Sequence, residues 1–168
     1  MEIRLITPEE YDALGDLTVS AYQRLSEGQS LGGYEEELRD VAARARDSEV
    51  YVAIDNGMVV GGVTFVPSSD NAMSEFSDPH AAGVRMLAVS PEFQGTGVGR
   101  ALLERTVERA RELGRRRLLL HSTPVMVVAR AMYERHGFAR LPEIDVFYSG
   151  PPYSEDDPLH LIGYELVL

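Results

Sequence analysis

The stretch spanning residues 83–114 restricts the possible folds of this chain more than any other. An apolar run, Val84-Arg85-Met86-Leu87-Ala88-Val89, reads as a strand. Ser90-Pro91-Glu92-Phe93 turns the chain, and Gln94-Gly95-Thr96-Gly97-Val98-Gly99 follows. Behind it Val98, Leu102, Thr106, Ala110 and Leu113 recur at helical spacing, and Gly114 is placed to cap the helix. A strand that enters a helix through glycines makes an anion site. The first helical turn has unpaired N–H groups and a partial positive charge. Glycines let the backbone approach a phosphate closely. Two nucleotide loops are excluded by spacing. A Walker loop ends in Gly-Lys-Ser/Thr, whereas Gly99 precedes Arg100 and the chain has no lysine. A dinucleotide fingerprint reads G-x-G-x-x-G, and glycines at 95, 97 and 99 do not fit that register.

The chain has 168 residues, enough for one domain over 1–168 with a real core. Without cysteine it has no disulfide, thiolate metal site or cysteine nucleophile, and no metal is expected. No apolar run reaches the length of about 18 residues that spans a membrane. Met1-Glu2-Ile3-Arg4 lacks the layout of a signal peptide, so a cytoplasmic protein is expected. The net charge of −11 is unevenly spread. Residues 1–80 hold 5 arginines and 16 acids, residues 81–140 hold 11 arginines and 5 acids, and residues 141–168 hold 6 acids and no arginine. A basic module between acidic flanks suits a phosphate-bearing ligand beside a cationic one. Nucleic acid is not expected to bind, because acids interrupt the basic residues and the total is strongly negative.

Hydrophobic periodicity orders the rest. A short strand at 3–6 leads to a helix start at Thr7-Pro8-Glu9-Glu10, a capping-box pattern. That helix is predicted to reach Leu25, with Tyr11, Leu14, Leu17, Ala21 and Leu25 on one face. A flexible loop over 26–33 and a second helix over 34–46 follow. Strands at 51–54 and 58–66 flank the tight turn Asp55-Asn56-Gly57, and Gly61-Gly62 marks a bulge or a close backbone approach. Residues 67–82 read as loop. After the glycine-loop helix come a strand at 117–121, a helix from Ser122-Thr123-Pro124 to His136-Gly137, and strands near 138–141, extending toward Phe147, and 160–168. Strand, crossover helix and strand make a parallel pair.

Two motifs together resemble the GNAT superfamily of N-acetyltransferases. One is Gln-x-x-Gly-x-Gly after a strand ending Leu-Ala-Val-x-Pro, over 87–99. The other is Ala129-Arg130-Ala131-Met132-Tyr133-Glu134-Arg135-His136-Gly137-Phe138. The implied fold is α/β, a mixed sheet of about seven strands in the order β-α-α-β-β-β-α-β-α-β-β with about four helices. The implied cofactor is acetyl-CoA. Leu87, Ala88 and Val89 would flank its pantetheine arm, and a backbone N–H near Leu87 would polarise the thioester carbonyl. Gln94, Gly95, Thr96, Gly97, Val98, Gly99 and Arg100 would hold the pyrophosphate. Met126, Ala129 and Tyr133 would complete the wall, with Tyr133 as general acid toward the leaving thiolate. Two departures stand out. The family often carries Asn where this chain has Met126, and a basic Glu where it has Ala82-Gly83-Val84. The base stays open among Glu75, Asp78, His80, His121 and solvent, with His121 put forward. The implied acceptor is a primary amine, and the acidic flanks point to a small cationic molecule. Glu27, Tyr34, Glu75, Tyr148 and Tyr153 are the acceptor candidates. A homodimer is compatible with the family. Two alternatives remain, a non-catalytic acyl-CoA sensor and a transferase of larger acyl groups.

Overall fold

The computed structural model describes residues 1–27 and 30–168; Gly28 and Gln29 of the expected 26–33 loop lie outside the described residues. One sheet organises everything else. Its strands are β1 (Glu2–Leu5), β2 (Glu49–Asp55), β3 (Met58–Val66), β4 (Ala81–Val89), β5 (Arg117–Ser122), β6 (Ala139–Arg140), β7 (Val146–Tyr148) and β8 (Leu159–Val167). They lie in the order β1-β2-β3-β4-β5-β8-β6, with β7 also on β8. Every pairing is antiparallel except β4 with β5. The helices are α1 (Tyr11–Leu25), α2 (Tyr34–Arg39), α3 (Val41–Asp47), α4 (Val98–Glu112) and α5 (Val127–Arg135). Among the described residues no helix is long and apolar enough to cross a membrane.

Alternation along β2 shows how both faces are filled. Tyr51 and Ala53 join the cluster under α4, which supplies Val98, Leu102, Leu103, Val107 and Ala110. Val50 and Val52 face the opposite way, onto Leu14 of α1 and Val41 of α3. Each aliphatic side chain buried this fully stabilises the fold by roughly 1.5–3 kcal/mol before the entropy cost of ordering it. Glycines make two of the contacts possible. A Cβ at Gly15 would stand 2.7 Å from the Arg39 carbonyl, and one at Gly62 would collide with Leu14 Cδ1. Gly61-Gly62 is thus a close approach, and register shifts also mark both edges of β3. The hairpin turn has Asn56 at φ +48° and Gly57 at φ +77°, as a tight two-residue turn requires.

The fold class expected from the sequence stands, while among the described residues five helices and eight strands are formed because several elements divide. A 3₁₀ turn at Pro8–Glu10 precedes α1, and Glu10 accepts the Thr7 N–H at 3.0 Å. The buried stripe of α1 is Leu14, Gly15, Thr18 and Val19, whereas Leu25 is exposed. The expected helix over 34–46 breaks at Asp40, whose side chain accepts the Ala43 N–H at 3.0 Å and so starts α3 afresh. The helix expected from Ser122 starts instead at Val127, because β5 keeps Ser122 and the Met126 N–H turns back to the Thr123 carbonyl at 3.1 Å. The strand expected to continue from 138 toward 147 is interrupted by a turn at Pro142–Ile144. Asp145 anchors that corner, accepting from Arg140, from His160 Nε2 and from the Gly163 N–H at 2.7 Å.

Candidate functional site

The only parallel pair among the described residues opens partway along. β4 and β5 are paired from Ala81 with Arg117 to Val84 with Leu120, yet β4 runs on to Val89. The divergence begins at a bulge. Thr64 faces Arg85, and two residues earlier Gly62 faces Ala88, so β4 holds one residue more. Met86 sits in that bulge at φ +55°, a left-handed conformation that costs a side-chain-bearing residue about 1–2 kcal/mol. The Ser90 N–H reaches the Val60 carbonyl at 2.8 Å. By alternation Ala88 pairs inward, and Leu87 and Val89 turn their main-chain groups to the open edge. That edge lines a cleft of about 940 Å³, large enough for a cofactor.

The glycine loop closes one end. Gly95 and Gly97 have φ of +77° and +94°, and a Cβ on either would meet nothing within 4 Å. Their need is conformational and their surroundings are open. α4 is 15 residues long and starts at Val98, so the N–H groups of Val98, Gly99 and Arg100 have no acceptor within the helix. Gln94, Gly95, Gly97, Gly99 and Arg100 line the cleft. Thr96 and Val98 do not. The Thr96 hydroxyl donates to the Phe93 carbonyl at 2.5 Å, and Val98 is buried in the core. A Cβ on Gly99 would lie 3.3 Å from Met132 Sδ, so glycine seats α5 against the loop. The basic block is mostly consumed by structure. Arg105, Arg109, Arg117 and Arg140 are all ion-paired, and Arg100 pairs with Glu104 at 2.8 Å.

α5 forms the facing wall with Met126, Ala129, Met132 and Tyr133. Gly137 at φ +101° reverses the chain, and the Phe138 N–H returns to the Tyr133 carbonyl at 3.0 Å. That places the Phe138 ring 5.9 Å from the Tyr133 ring, with Tyr164 at 6.3 Å on another side. Tyr133 is 6% exposed and lines the cleft. Among the described residues nothing hydrogen-bonds its hydroxyl. Burial pushes the phenol up, so it keeps its proton. Val125 and Val128 are 60% and 79% exposed and line the cleft.

Beyond Tyr133 the cleft reaches Tyr22 and Arg24 of α1, Arg85 of β4 and His121 of β5. His121 Nε2 meets the Ile144 carbonyl at 2.7 Å, and Nδ1 lies 3.5 Å from Glu75. Burial lowers the imidazole pKa, but Glu75 and the Ile144 carbonyl outweigh it and leave the group raised. Glu75 also binds Arg85 at 2.8 Å. Partial burial opposes its charge, yet His121 and Arg85 hold its carboxyl below the usual range. Asp78 is paired with Arg117, and His80 is exposed outside the cleft. None of the five acceptor candidates lines the cleft. Glu75 lines a neighbouring void of about 10 Å³ with Arg85 and His121. Tyr34 packs edge-on to Tyr22 at 6.0 Å. Tyr148 and Tyr153 pack on each other at 6.2 Å, and Glu27 is exposed past the end of α1. Arg85, Tyr22 and Arg24 are cleft residues that sequence reasoning passed over. For Arg85 a signal existed, as the one charge in an apolar strand. For the α1 residues there was none, because the sheet opening that faces them is a tertiary feature.

Residues 12–138 match the model of the acetyltransferase (GNAT) family. A mycothiol acetyltransferase from Cellulomonas flavigena is 32% identical over 117 residues, covering 65% of this chain and 33% of that relative. The alignment therefore spans about a third of the relative's own length. A ribosomal-protein-alanine N-acetyltransferase from Brucella melitensis superposes with a TM-score of 0.73, at 23% identity and over 100% of both chains. The yncA protein of Salmonella typhimurium, solved with its cofactor acetyl-CoA, superposes at 0.72, with 21% identity over 100% of this chain and 94% of that one.

Proposed function

The chain belongs to the acetyltransferase (GNAT) family, and from that premise we propose that it transfers an acetyl group from acetyl-CoA directly to a primary amine. One observation carries the proposal. The freed edge of β4, the glycine loop at the start of α4 and Tyr133 converge on a single cleft. The residues present fit the cofactor. Open space at Gly95 and Gly97 leaves room for a pyrophosphate, and the N–H groups of the first turn of α4 would receive it. Leu87 and Val89 would pair with an extended pantetheine arm as an added strand does. Acetyl-CoA supplies the acyl group when bound.

The chain's own groups supply the rest. A main-chain N–H at the β4 bulge would face the oxygen on which charge develops, and preorganised donors of this kind lower such barriers most. The Tyr133 hydroxyl, still protonated and without a partner among the described residues, would give its proton or a hydrogen bond to the departing thiolate. The cytoplasm remains the proposed compartment, on the cysteine-free composition. The acidic flanks remain the sole support for a cationic acceptor, since none of the acidic candidates lines the cleft. The proposal is tested by following thiol release from acetyl-CoA across a panel of amines. Release should depend on both the amine and the protein. Bound acetyl-CoA with no amine-dependent release from any member would sink it.

A further inference from the structure

Acyl transfer needs a neutral amine nitrogen, so the acceptor's proton must go somewhere. Three groups in or beside the acceptor end of the cleft could be asked to take it, and each already has a partner or its own proton. A carbonyl can only accept, so His121 Nε2 carries a hydrogen toward Ile144, and Nδ1 faces Glu75 at 3.5 Å. Both Glu75 oxygens are engaged, one by His121 and the other by Arg85. Tyr133 retains its own proton. None of these stands in the cleft as an unpartnered base: His121 and Glu75 are held to each other, to Ile144 and to Arg85, and Tyr133 keeps its proton.

The charge of the wall adds a second constraint. Among the described residues no Asp or Glu lines the cleft, whereas Arg24, Arg85, Arg100, His121, Arg135 and His136 do. Glu37 and Glu75 offset Arg85 from behind. Arg44 stands behind the same wall at 1% exposure, and among the described residues it has no carboxylate within ion-pair reach. It bonds only Thr64 Oγ1 and the Leu38 carbonyl, and its Nε is unpaired. Arg85 is thus offset by Glu37 and Glu75, and Arg100 by Glu104. Among the described residues, however, no carboxylate on the wall faces the cleft to hold an ammonium, which disfavours the charged amine and lowers its pKa. The wall thereby performs part of what a base would do, for an amine that is already a weak one.

We infer that the acceptor amine is of the α-amino kind, titrating near 8, on a molecule without a second positive charge. The inference rests on the acetyltransferase reading and narrows it, and it replaces the cationic acceptor suggested by the acidic flanks. The amine gives its first proton to water before it reacts. As the N–C bond forms and the C–S bond breaks, the nitrogen's second proton is lost and the thiolate takes one up. An α-amine with a pKa near 8 is about 10% neutral at pH 7, whereas a lysine-type amine near 10.4 is roughly 200-fold less so.

The test compares kcat/KM across acceptors with acetyl-CoA as donor. One arm holds peptides with free N-termini and amino sugars. The other holds lysine with a blocked α-amine, spermidine and other polyamines. The α-amine arm should lead by about 100-fold at pH 7. The pH at which kcat/KM levels off should follow the pKa of each acceptor, and Glu75→Gln should not remove that dependence. A preference for polyamines, or a break at one pH for all acceptors that disappears in Glu75→Gln, would overturn the inference and leave the transferase proposal standing. Failure of every amine would overturn both.

Discussion

Tyr133, Met86 and His121 carry different weights at the scale of single residues. Tyr133 was legible as a packed residue because one of its partners, Phe138, lies close in sequence. Gly137 must reverse the chain, and Phe138 then lands on the ring. Tyr133→Phe keeps the packing against Phe138 and Tyr164 and removes only the hydroxyl. Turnover should fall by about 10²-fold or more, while the Kd for acetyl-CoA stays within about twofold of wild type. Steady-state kinetics with calorimetry separate the two, and unchanged turnover would remove the general-acid role. His121 was legible as a cleft residue, while its partners were not. Both of its partners, Glu75 and the Ile144 carbonyl, come from distant loops. Met86 gave no sign either, since nothing in Val-Arg-Met-Leu-Ala-Val marks which residue takes the positive φ.

Elements were readable by type and less so at their ends. Periodicity located β2, β3, β4, α4 and β5 within a few residues, because each packs one regular face on the core. It failed where a side chain or proline competes with the backbone, at Asp40, at Thr123-Pro124 and at Pro142. Two predictions belong here. In Gly62→Ala the new methyl would meet Leu14, so α1 must shift off β3. Urea denaturation should show a loss of about 1–3 kcal/mol, partly recovered in Gly62→Ala/Leu14→Val. The entrance to α1 depends on Glu10, which binds Arg4 and the Thr7 N–H. Arg4, set against partial burial, lowers its pKa from 4.5 to about 2. A carboxylate depressed on folding stabilises the native state above its unfolded pKa and loses that contribution as pH falls through the folded value. The stability gap between wild type and Glu10→Gln should be full above pH 4.5 and close toward pH 2. A gap constant across that window would show that the pair does not contribute.

For the whole molecule the decisive feature is a sheet that splits. β4 and β5 hold together over four residue pairs and then part, and the glycine loop and Tyr133 border the opening. The parallel pair, the loop and the tyrosine could each be read from local sequence. The split, the basic wall and the exclusion of the acidic candidates could not, because they arise from contacts among four separate segments. The segregation of charge along the chain also meant less than its pattern suggested. Among the described residues, six of the eleven arginines in the basic block, Arg105, Arg109 and Arg117 among them, are paired with neighbouring acids, and surface pairs of that kind contribute only about 0–1 kcal/mol each. Under the proposed function, donor recognition would therefore fall mainly on main-chain groups. The most direct measurement is calorimetric titration of acetyl-CoA into wild type and into Gly97→Val, with circular dichroism to confirm that the variant is folded. Valine at φ +94° has room for its side chain but not the required backbone. One site per chain in the wild type and none in the folded variant is the expected result. Equal affinity in both proteins, or no binding by the wild type, would contradict the assignment of the cleft to acetyl-CoA.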